Sequence, residues 1–216
     1  MKWAASIRGT KVKLRSHVEL TCAVLIVLVG LGVRTGAQTR GELGMTASGQ
    51  QNLGYQGLSL GITGRVEKTQ RRVEFFGEGT YFVRAHKYTG DGYAFGGNGG
   101  IRVYRDVEGR GIYGLFGGSV GYAHTQLFDK WAGGFFGGGG YRRGDSTIEF
   151  IYQPRDFSEN SISAFGAKFE QLKRFGSVGF VAVRPFVESI RYVDFDTRAP
   201  HAGLRGGVTV SVGRFW

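Results

Sequence analysis

Three ionisable residues near the C-terminus could form a catalytic group. Asp194, Asp196 and His201 lie close together in a polar segment. Neighbouring carboxylates can perturb each other's ionisation and hold a water molecule for general-base attack. The competing interpretation is a solvated loop with two acids and an incidental histidine. We therefore predict that the protein has no catalytic residue, and we keep these three residues as the alternative, a candidate catalytic site.

A second motif with possible chemistry is Gly117-Gly118-Ser119-Val120-Gly121, which matches the G-x-S-x-G nucleophile elbow. That elbow requires a strand-to-helix turn in an α/β sheet, whereas these residues lie in the middle of a strand-like segment. The chain has one cysteine, Cys22, and no zinc motif. We therefore predict no metal and no cofactor.

Other charged residues alternate with apolar ones inside strand-like segments. Val73, Phe75 and Val83, for example, alternate with acids and arginines. A charged side chain on the lipid face of a membrane strand costs about 2–4 kcal/mol at the bilayer midplane. If these strands form a barrel that spans a membrane, the charged side chains are therefore predicted to face its lumen and the apolar ones the lipid. The predicted lumenal charges are Arg72, Glu74, Glu78, Arg84, Glu149, Lys168, Glu170, Arg184 and Glu188.

The segments that would position these charges read as strands along residues 38–216. Nine are clear: 55–65, 72–84, 92–104, 111–123, 131–142, 145–152, 161–172, 177–188 and 203–216. Bacterial single-chain barrels have even strand numbers. A weaker alternating segment, Glu42 to Ser48, supplies a tenth strand, and eight is the alternative. The predicted fold is all-β, one closed antiparallel transmembrane barrel, with Pro185 marking a bulge or an early strand end.

The last segment carries a family resemblance. Val208, Val210 and Val212 alternate with small or polar residues, and the chain stops on Phe215-Trp216. This pattern resembles the C-terminal signature of bacterial outer-membrane β-barrels of the OmpA, OmpX and opacity types. The resemblance implies location in the outer membrane and recognition of the final aromatic by the barrel-insertion machinery. Arg214 departs from the family pattern, which has an apolar residue there.

Residues 1–37 read as a secretory signal peptide. Basic residues precede an apolar run, Leu20 to Val33, and small residues at Thr35-Gly36-Ala37 suit cleavage. A membrane anchor is the competing interpretation, but the run is shorter than the roughly 17–25 residues of a spanning helix. We therefore predict export through the Sec pathway, with residues 38–216 as one barrel domain.

Composition supports this division. Residues 1–37 hold six of the 28 Lys and Arg and one of the 17 Asp and Glu, so residues 38–216 carry a net charge of +6. Their charges are scattered, which excludes a nucleic-acid partner. Four of the 39 glycines also fall in residues 1–37, which leaves 35 for the barrel. In a narrow barrel glycine permits tight coiling and lets an aromatic ring lie across it.

Connection lengths predict the orientation. If the C-terminus is periplasmic, as in the families that the chain resembles, short basic turns face the periplasm and lie against phospholipid headgroups. The longer predicted loops, 189–202 the longest, then face outward.

Two functions from different classes follow. The first is a non-enzymatic integral barrel with a structural, surface-contact, adhesion or narrow-pore role. Its partners are outer-membrane lipids, the insertion machinery, and either an extracellular surface or small solutes. The second is a rim hydrolase, a protease or a lipid A-modifying enzyme, using Asp194, Asp196 and His201.

Overall fold

Ten antiparallel strands form one closed barrel. The computed structural model describes residues 38–52, 55–86, 92–124, 129–155, 162–193 and 200–216. The strands are β1 Gln38–Asn52, β2 Tyr55–Gln70, β3 Val73–His86, β4 Gly92–Tyr104, β5 Gly111–His124, β6 Asp129–Arg143, β7 Ser146–Arg155, β8 Ile162–Phe175, β9 Gly179–Val193 and β10 Pro200–Phe215. Each strand pairs with its sequence neighbours, and β1 pairs with β10.

This arrangement confirms the predicted fold and the preferred strand number. The weak segment at Glu42 to Ser48 is the centre of β1, which closes the barrel against β10. The predicted signal peptide, residues 1–37, lies outside the described residues. No helix within the described ranges is long and apolar enough to cross a membrane.

Side-chain alternation divides the barrel wall into an apolar exterior and a polar interior. On β1, Met45 is 70% exposed on the exterior, opposite Val210 of β10 and Ile62 of β2. Its neighbour Thr46 is buried, and its hydroxyl lies 2.8 Å from that of Thr209 inside the barrel. Among the described residues, 29 large hydrophobic side chains are exposed and ten hydrophobic residues are buried. The barrel is therefore inverted relative to a water-soluble fold.

The glycine-rich strands β5 and β6 also have two distinct faces, which the sequence did not assign. Phe116 and Phe135 are exposed on the exterior, whereas Leu115 and Phe136 are buried inside. Inward aromatic rings lie against glycines of adjacent strands, as predicted. A Cβ atom at the glycine would come within 3 Å of the ring in five pairs: Gly61 with Phe82, Gly117 with Phe136, Gly140 with Tyr113, Gly207 with Phe186 and Gly213 with Phe180.

Pro185 neither ends its strand nor shifts the register with β8 or β10, so the predicted bulge or early end is wrong. β9 continues to Val193, and Pro185 keeps its position opposite Val208 of β10. Pairing with β8 is interrupted between Lys168↔Phe186 and Gln171↔Val183. Because proline has no N–H to donate, its effect is confined to the β8 side.

The two ends of the barrel differ in their connections. The end that we call the inner end carries the turns 71–72, 105–110, 144–145 and 176–178 and both ends of the described chain. Connections at the other end, the outer end, lie outside the described residues. The strands extend further than predicted there, so the 189–202 loop shortens to 194–199. Turn 105–110 at the inner end is as long as the 194–199 connection at the outer end. The difference in connection length between the two ends is therefore smaller than predicted.

Candidate functional site: an ion cluster across the lumen

Five arginines and five glutamates meet in the inner half of the lumen. None of their side chains is more than 16% exposed, and the equal numbers leave the group with no net charge. We call it the lumenal ion cluster. Its members are Arg40, Glu42, Arg65, Glu67, Glu74, Arg102, Arg142, Glu149, Glu170 and Arg184.

Strand alternation and pairing bring these residues to one level. Glu74 lies near the start of β3 and Arg102 near the end of β4, so the antiparallel register places them opposite each other. Arg40 of β1 lies opposite Glu67 of β2 in the same way. Each occupies an inward position near the inner end of its strand, and long side chains from different walls can then meet across the lumen.

Arg102 organises one side of the cluster. Its guanidinium donates to three carboxylates, those of Glu74 at 2.5 Å, Glu149 at 2.7 Å and Glu67 at 3.0 Å. Glu74 also accepts from Arg142 at 2.6 Å. A guanidinium suits this role because its donors fan out in a rigid plane.

Arg40 organises the other side. It donates to Glu170 at 2.7 Å and to Glu42 at 3.2 Å. Its ion pair with Glu67, at 3.1 Å, joins the two sides of the cluster. Arg184 also contacts Glu170, and its Nη1 atom lies 2.6 Å from Glu42.

All ten strands contribute to this network. β5 supplies the Tyr113 hydroxyl, which donates to Glu149 at 3.0 Å. β10 supplies Ser211, which accepts from Arg184 at 3.1 Å. The eight other strands supply the charged residues, so the network ties the whole circumference together at this level.

Aromatic rings pack against the cluster and exclude water from it. The Arg102 guanidinium lies 4.3 Å from the centre of the Phe76 ring, and that of Arg40 lies 4.9 Å from Phe180. Such contacts stabilise a desolvated guanidinium. Removing water from a charge costs several kcal/mol unless the charge is paired. The dense pairing is therefore what allows these residues to fill the lumen.

The predicted lumenal charges have mixed outcomes. Glu74, Glu149, Glu170 and Arg184 lie in the cluster. Glu78 and Glu188 face the lumen nearer the outer end, where Glu78 lies 3.7 Å from Arg65 and Glu188 pairs with Arg205. Lys168 is half-buried at an inward position, opposite Glu149.

One predicted lumenal charge is wrong, and one lies outside the described side chains. Arg72 is exposed in the turn before β3, because the strand begins one residue later. Arg84 belongs to β3, but its side chain lies outside the described residues.

The alternative catalytic group is also largely outside the described residues. Asp194 and Asp196 are not described, and neither is the side chain of His201. The backbone of His201 belongs to β10, paired with Tyr192, and not to a loop as predicted.

Six members of the cluster were missed by the sequence reading: Arg40, Glu42, Arg65, Glu67, Arg102 and Arg142. Arg65 and Glu67 alternate with Gly64 and Val66, which is the signal that could have found them. The prediction ended that strand at residue 65, so Glu67 was assigned to a turn. Arg142 was the last residue of the predicted strand 131–142 and was counted with the turn that follows it.

Smaller side chains line the lumen beyond the cluster, toward the outer end. Ser119 of β5 lies opposite Asn98 of β4, and its hydroxyl accepts from the Gln153 amide at 2.5 Å. Ser119 is within a strand, so the turn that a nucleophile elbow needs is not formed here. No group of three metal-ligating side chains is found in the described part of the chain.

The C-terminal signature residues lie on both faces of β10. Val208, Val210 and Val212 are exposed on the exterior, as is Trp216, whose ring covers Gly41. Phe215 instead turns inward and packs against Phe180, with ring centres 4.9 Å apart.

Comparisons with known proteins identify likeness in fold alone. No family model and no curated protein matches the chain. Among solved structures, Neisserial surface protein A has a TM-score of 0.42 at 8% identity, covering 83% of this chain and 97% of that protein. The translocator domain of the autotransporter NalP from Neisseria meningitidis has a TM-score of 0.42 at 15% identity, with 94% and 97% covered. The outer membrane protease OmpT from Escherichia coli has a TM-score of 0.38 at 8% identity, covering 86% of this chain and 99% of that protein. The barrel itself has the fold that the C-terminal resemblance predicted.

Proposed function

We propose that this protein is an integral barrel of the bacterial outer membrane, closed to solutes and without catalytic activity, with a structural and surface-contact role. The observation that carries the proposal is the lumenal ion cluster, which crosses the lumen from wall to wall. The outer connections would then provide contact with an extracellular surface.

The exterior supports placement in a membrane. Exposed Leu, Ile, Val, Met and Phe side chains cover the strands. Full exposure of one such side chain to water costs about 1.5–3 kcal/mol, so this partly exposed surface would be unfavourable in water. Aromatic residues lie toward both ends of the wall, with Tyr141 and Trp216 at the inner end and Trp131 near the outer end. Such girdles are typical of outer-membrane barrels. A closed barrel also leaves no unpaired strand edge in the lipid.

The cluster favours a closed barrel over a narrow pore. A barrel of about eight strands has an interior just wide enough for side chains, so ten strands could leave a passage. Here Arg102 and Glu74 are 3% and 1% exposed at the level where that passage would run. A solute would have to separate several desolvated ion pairs to cross.

Export and insertion are part of the same proposal. The apolar run preceded by basic residues supports Sec export, and the outward valines of β10 support recognition by the insertion machinery. Both steps would deliver the barrel to the outer membrane.

Conductance in planar lipid bilayers tests whether the lumen is closed. We expect no steady channels from the refolded protein. The charge-balanced variant Arg40→Ala/Glu170→Ala removes the link between the two sides of the cluster and should produce openings. The matched control Arg205→Ala/Glu188→Ala, which removes an ion pair outside the cluster, should stay silent. Steady channels from the unaltered protein would overturn the closed barrel.

Turnover assays test the absence of catalysis. Refolded protein and the Asp194→Asn variant are incubated with peptide and with lipid A, and product formation is compared. We expect no turnover from either. Hydrolysis that is lost in the variant would establish the rim hydrolase instead.

A further inference from the structure

A cavity at the inner end combines cationic and apolar walls. It has a volume of about 440 Å³ and lies beside the turn between β4 and β5. Its lining residues are Arg105, Asp106, Arg110, Gly111, Ile112 and Tyr141. Ile112 is 62% exposed on the exterior of the barrel. The cavity therefore opens where the membrane surface would lie.

The two arginines of this cavity are available to an anion. Arg105 is exposed and makes no ion pair with any residue in the described ranges. Arg110 pairs with Glu108 at 3.1 Å, but both side chains are more than 60% exposed, and such pairs contribute little. The Asp106 carboxylate also lines the cavity, where it accepts the backbone N–H of Glu108 at 3.2 Å. A phosphate could replace the weak pair and receive charge-assisted hydrogen bonds from both guanidinium groups.

The cavity belongs to a rim with excess positive charge. Eight exposed cations lie at the inner end, against three acids there, Asp106, Glu108 and Asp145. Half-buried Lys68 at the same end raises the excess from five to six. Since the lumenal ion cluster is neutral, the inner end accounts for the +6 net charge of residues 38–216. The exposed cations are Arg71, Arg72, Arg105, Arg110, Arg143, Lys173, Arg174 and Arg214.

A strip without side chains runs along the exterior from this cavity toward the bilayer centre. Gly114 of β5 lies opposite Gly139 of β6, directly beyond Ile112 and Tyr141 in the register. A Cβ atom at Gly114 would meet nothing within 4 Å. Phe150 of β7, exposed opposite Gly139, borders the strip. The next outward position on β6 is Gly137, which lies between the exposed Phe116 of β5 and Tyr152 of β7. The strip therefore continues along β6 from Gly139 to Gly137, which is the direction that a lipid acyl chain takes.

We propose that this cavity binds one anionic phospholipid of the periplasmic leaflet. Its phosphate lies between Arg105 and Arg110, and an acyl chain lies along Gly114 and Gly139. The inference rests on the proposed placement in the outer membrane. It goes beyond that placement because it assigns a specific lipid site to one part of the wall.

Electron paramagnetic resonance with spin-labelled lipids tests the headgroup part. The full chain is refolded into phosphatidylcholine vesicles containing spin-labelled phosphatidylglycerol or phosphatidylcholine. Two basic residues near a membrane surface contribute about 2 kcal/mol together, so we expect phosphatidylglycerol to be preferred at this site by about thirtyfold at low salt. Arg105→Gln/Arg110→Gln should lose most of this preference. Lys173→Gln/Arg214→Gln removes equal charge elsewhere on the rim and should keep it.

Two glycine variants test the acyl-chain part. Gly114→Leu fills the strip and should weaken the preference severalfold. Gly77→Leu on β3 is the matched control, because a Cβ atom there also meets nothing within 4 Å and the site is away from the strip. It should leave the preference unchanged.

Three outcomes would overturn the lipid site. They are an unaltered protein with no preference, an equal loss in the Lys173→Gln/Arg214→Gln control, and a preference that resists Gly114→Leu but disappears with inorganic phosphate at constant ionic strength. The last outcome would indicate a site for free phosphate. Heat-modifiable migration and conductance of the same samples show separately whether the closed membrane barrel holds.

Discussion

The inner and outer halves of the lumen are filled in different ways. In the inner half, long charged side chains meet across the barrel and aromatic rings pack against them. In the outer half, Asn98, Ser119 and Thr80 are only partly buried, and several inward positions are glycine. The lumen is therefore densely filled at one level and not along its whole length.

The inner half is filled by charged residues and not by aliphatic ones because of their length and their capacity to pair. Arg and Glu are long enough to meet in a ten-stranded lumen, and one guanidinium can join three carboxylates. Arg102 does so with Glu67, Glu74 and Glu149. We infer that the layer stabilises closure because its contacts link residues that are far apart in sequence.

The largest expected effect comes from Arg102→Met. This change leaves three buried carboxylates without their shared cation, so it should lower the free energy of unfolding by about 3–5 kcal/mol. The measurement is urea unfolding of the refolded protein in detergent, followed by tryptophan fluorescence. Arg205→Met, at a partly exposed pair in the outer half, should cost less than about 1.5 kcal/mol, the upper end of the usual net contribution of one hydrogen bond. Equal losses would remove the distinction between the two halves.

A smaller effect is expected from Gly117→Ala. Its new methyl group would lie 2.4 Å from the Phe136 ring and equally close to the Gly99 carbonyl oxygen. Overpacking of this kind costs about 1–3 kcal/mol. Gly77→Ala, which points into open space on the exterior, serves as the control in the same unfolding assay and should not destabilise the barrel. If Gly117→Ala left the free energy of unfolding unchanged, the inward aromatic ring of Phe136 would be loosely packed.

The smallest effect concerns the hydroxyl pair of Thr46 and Thr209, beyond the cluster. A double-mutant cycle with Thr46→Val and Thr209→Val should give a coupling energy of about 0.5–1.5 kcal/mol, the usual net contribution of one hydrogen bond. The same cycle applied to Arg102 and Glu74 gives the coupling energy of a pair in the cluster. An equal coupling energy for Thr46 and Thr209 would mean that the outer half is as tightly organised as the inner half.

Much of the fold could be predicted because strand alternation is a local property. The segments around Glu74, Glu149 and Glu170 each show their inward charges in a few consecutive residues. Even the weak first strand was identified, since the barrel needs an even strand number. The turn position of Arg72 was missed by one residue, which is a usual error at strand ends.

The partners within the lumen could not be predicted from local pattern. Arg40 contacts Glu170 across a large sequence separation, and this contact depends on closure and on the stagger between strands. Glycine-rich β5 and β6 gave no face signal, because glycine is neither clearly apolar nor polar. Their faces became clear only from Phe116 and Phe136 in the structure.

The measurement that tests the central claim most directly is lipid accessibility along β10. With Cys22 replaced by serine, single cysteines are placed at Val208, Thr209, Val210, Ser211 and Val212, spin-labelled, and tested with oxygen, which concentrates in lipid. We predict high oxygen accessibility at the three valine positions and low accessibility at Thr209 and Ser211. Uniform accessibility along the strand, or the opposite alternation, would contradict a barrel with its ionic layer inside and its apolar face in the membrane.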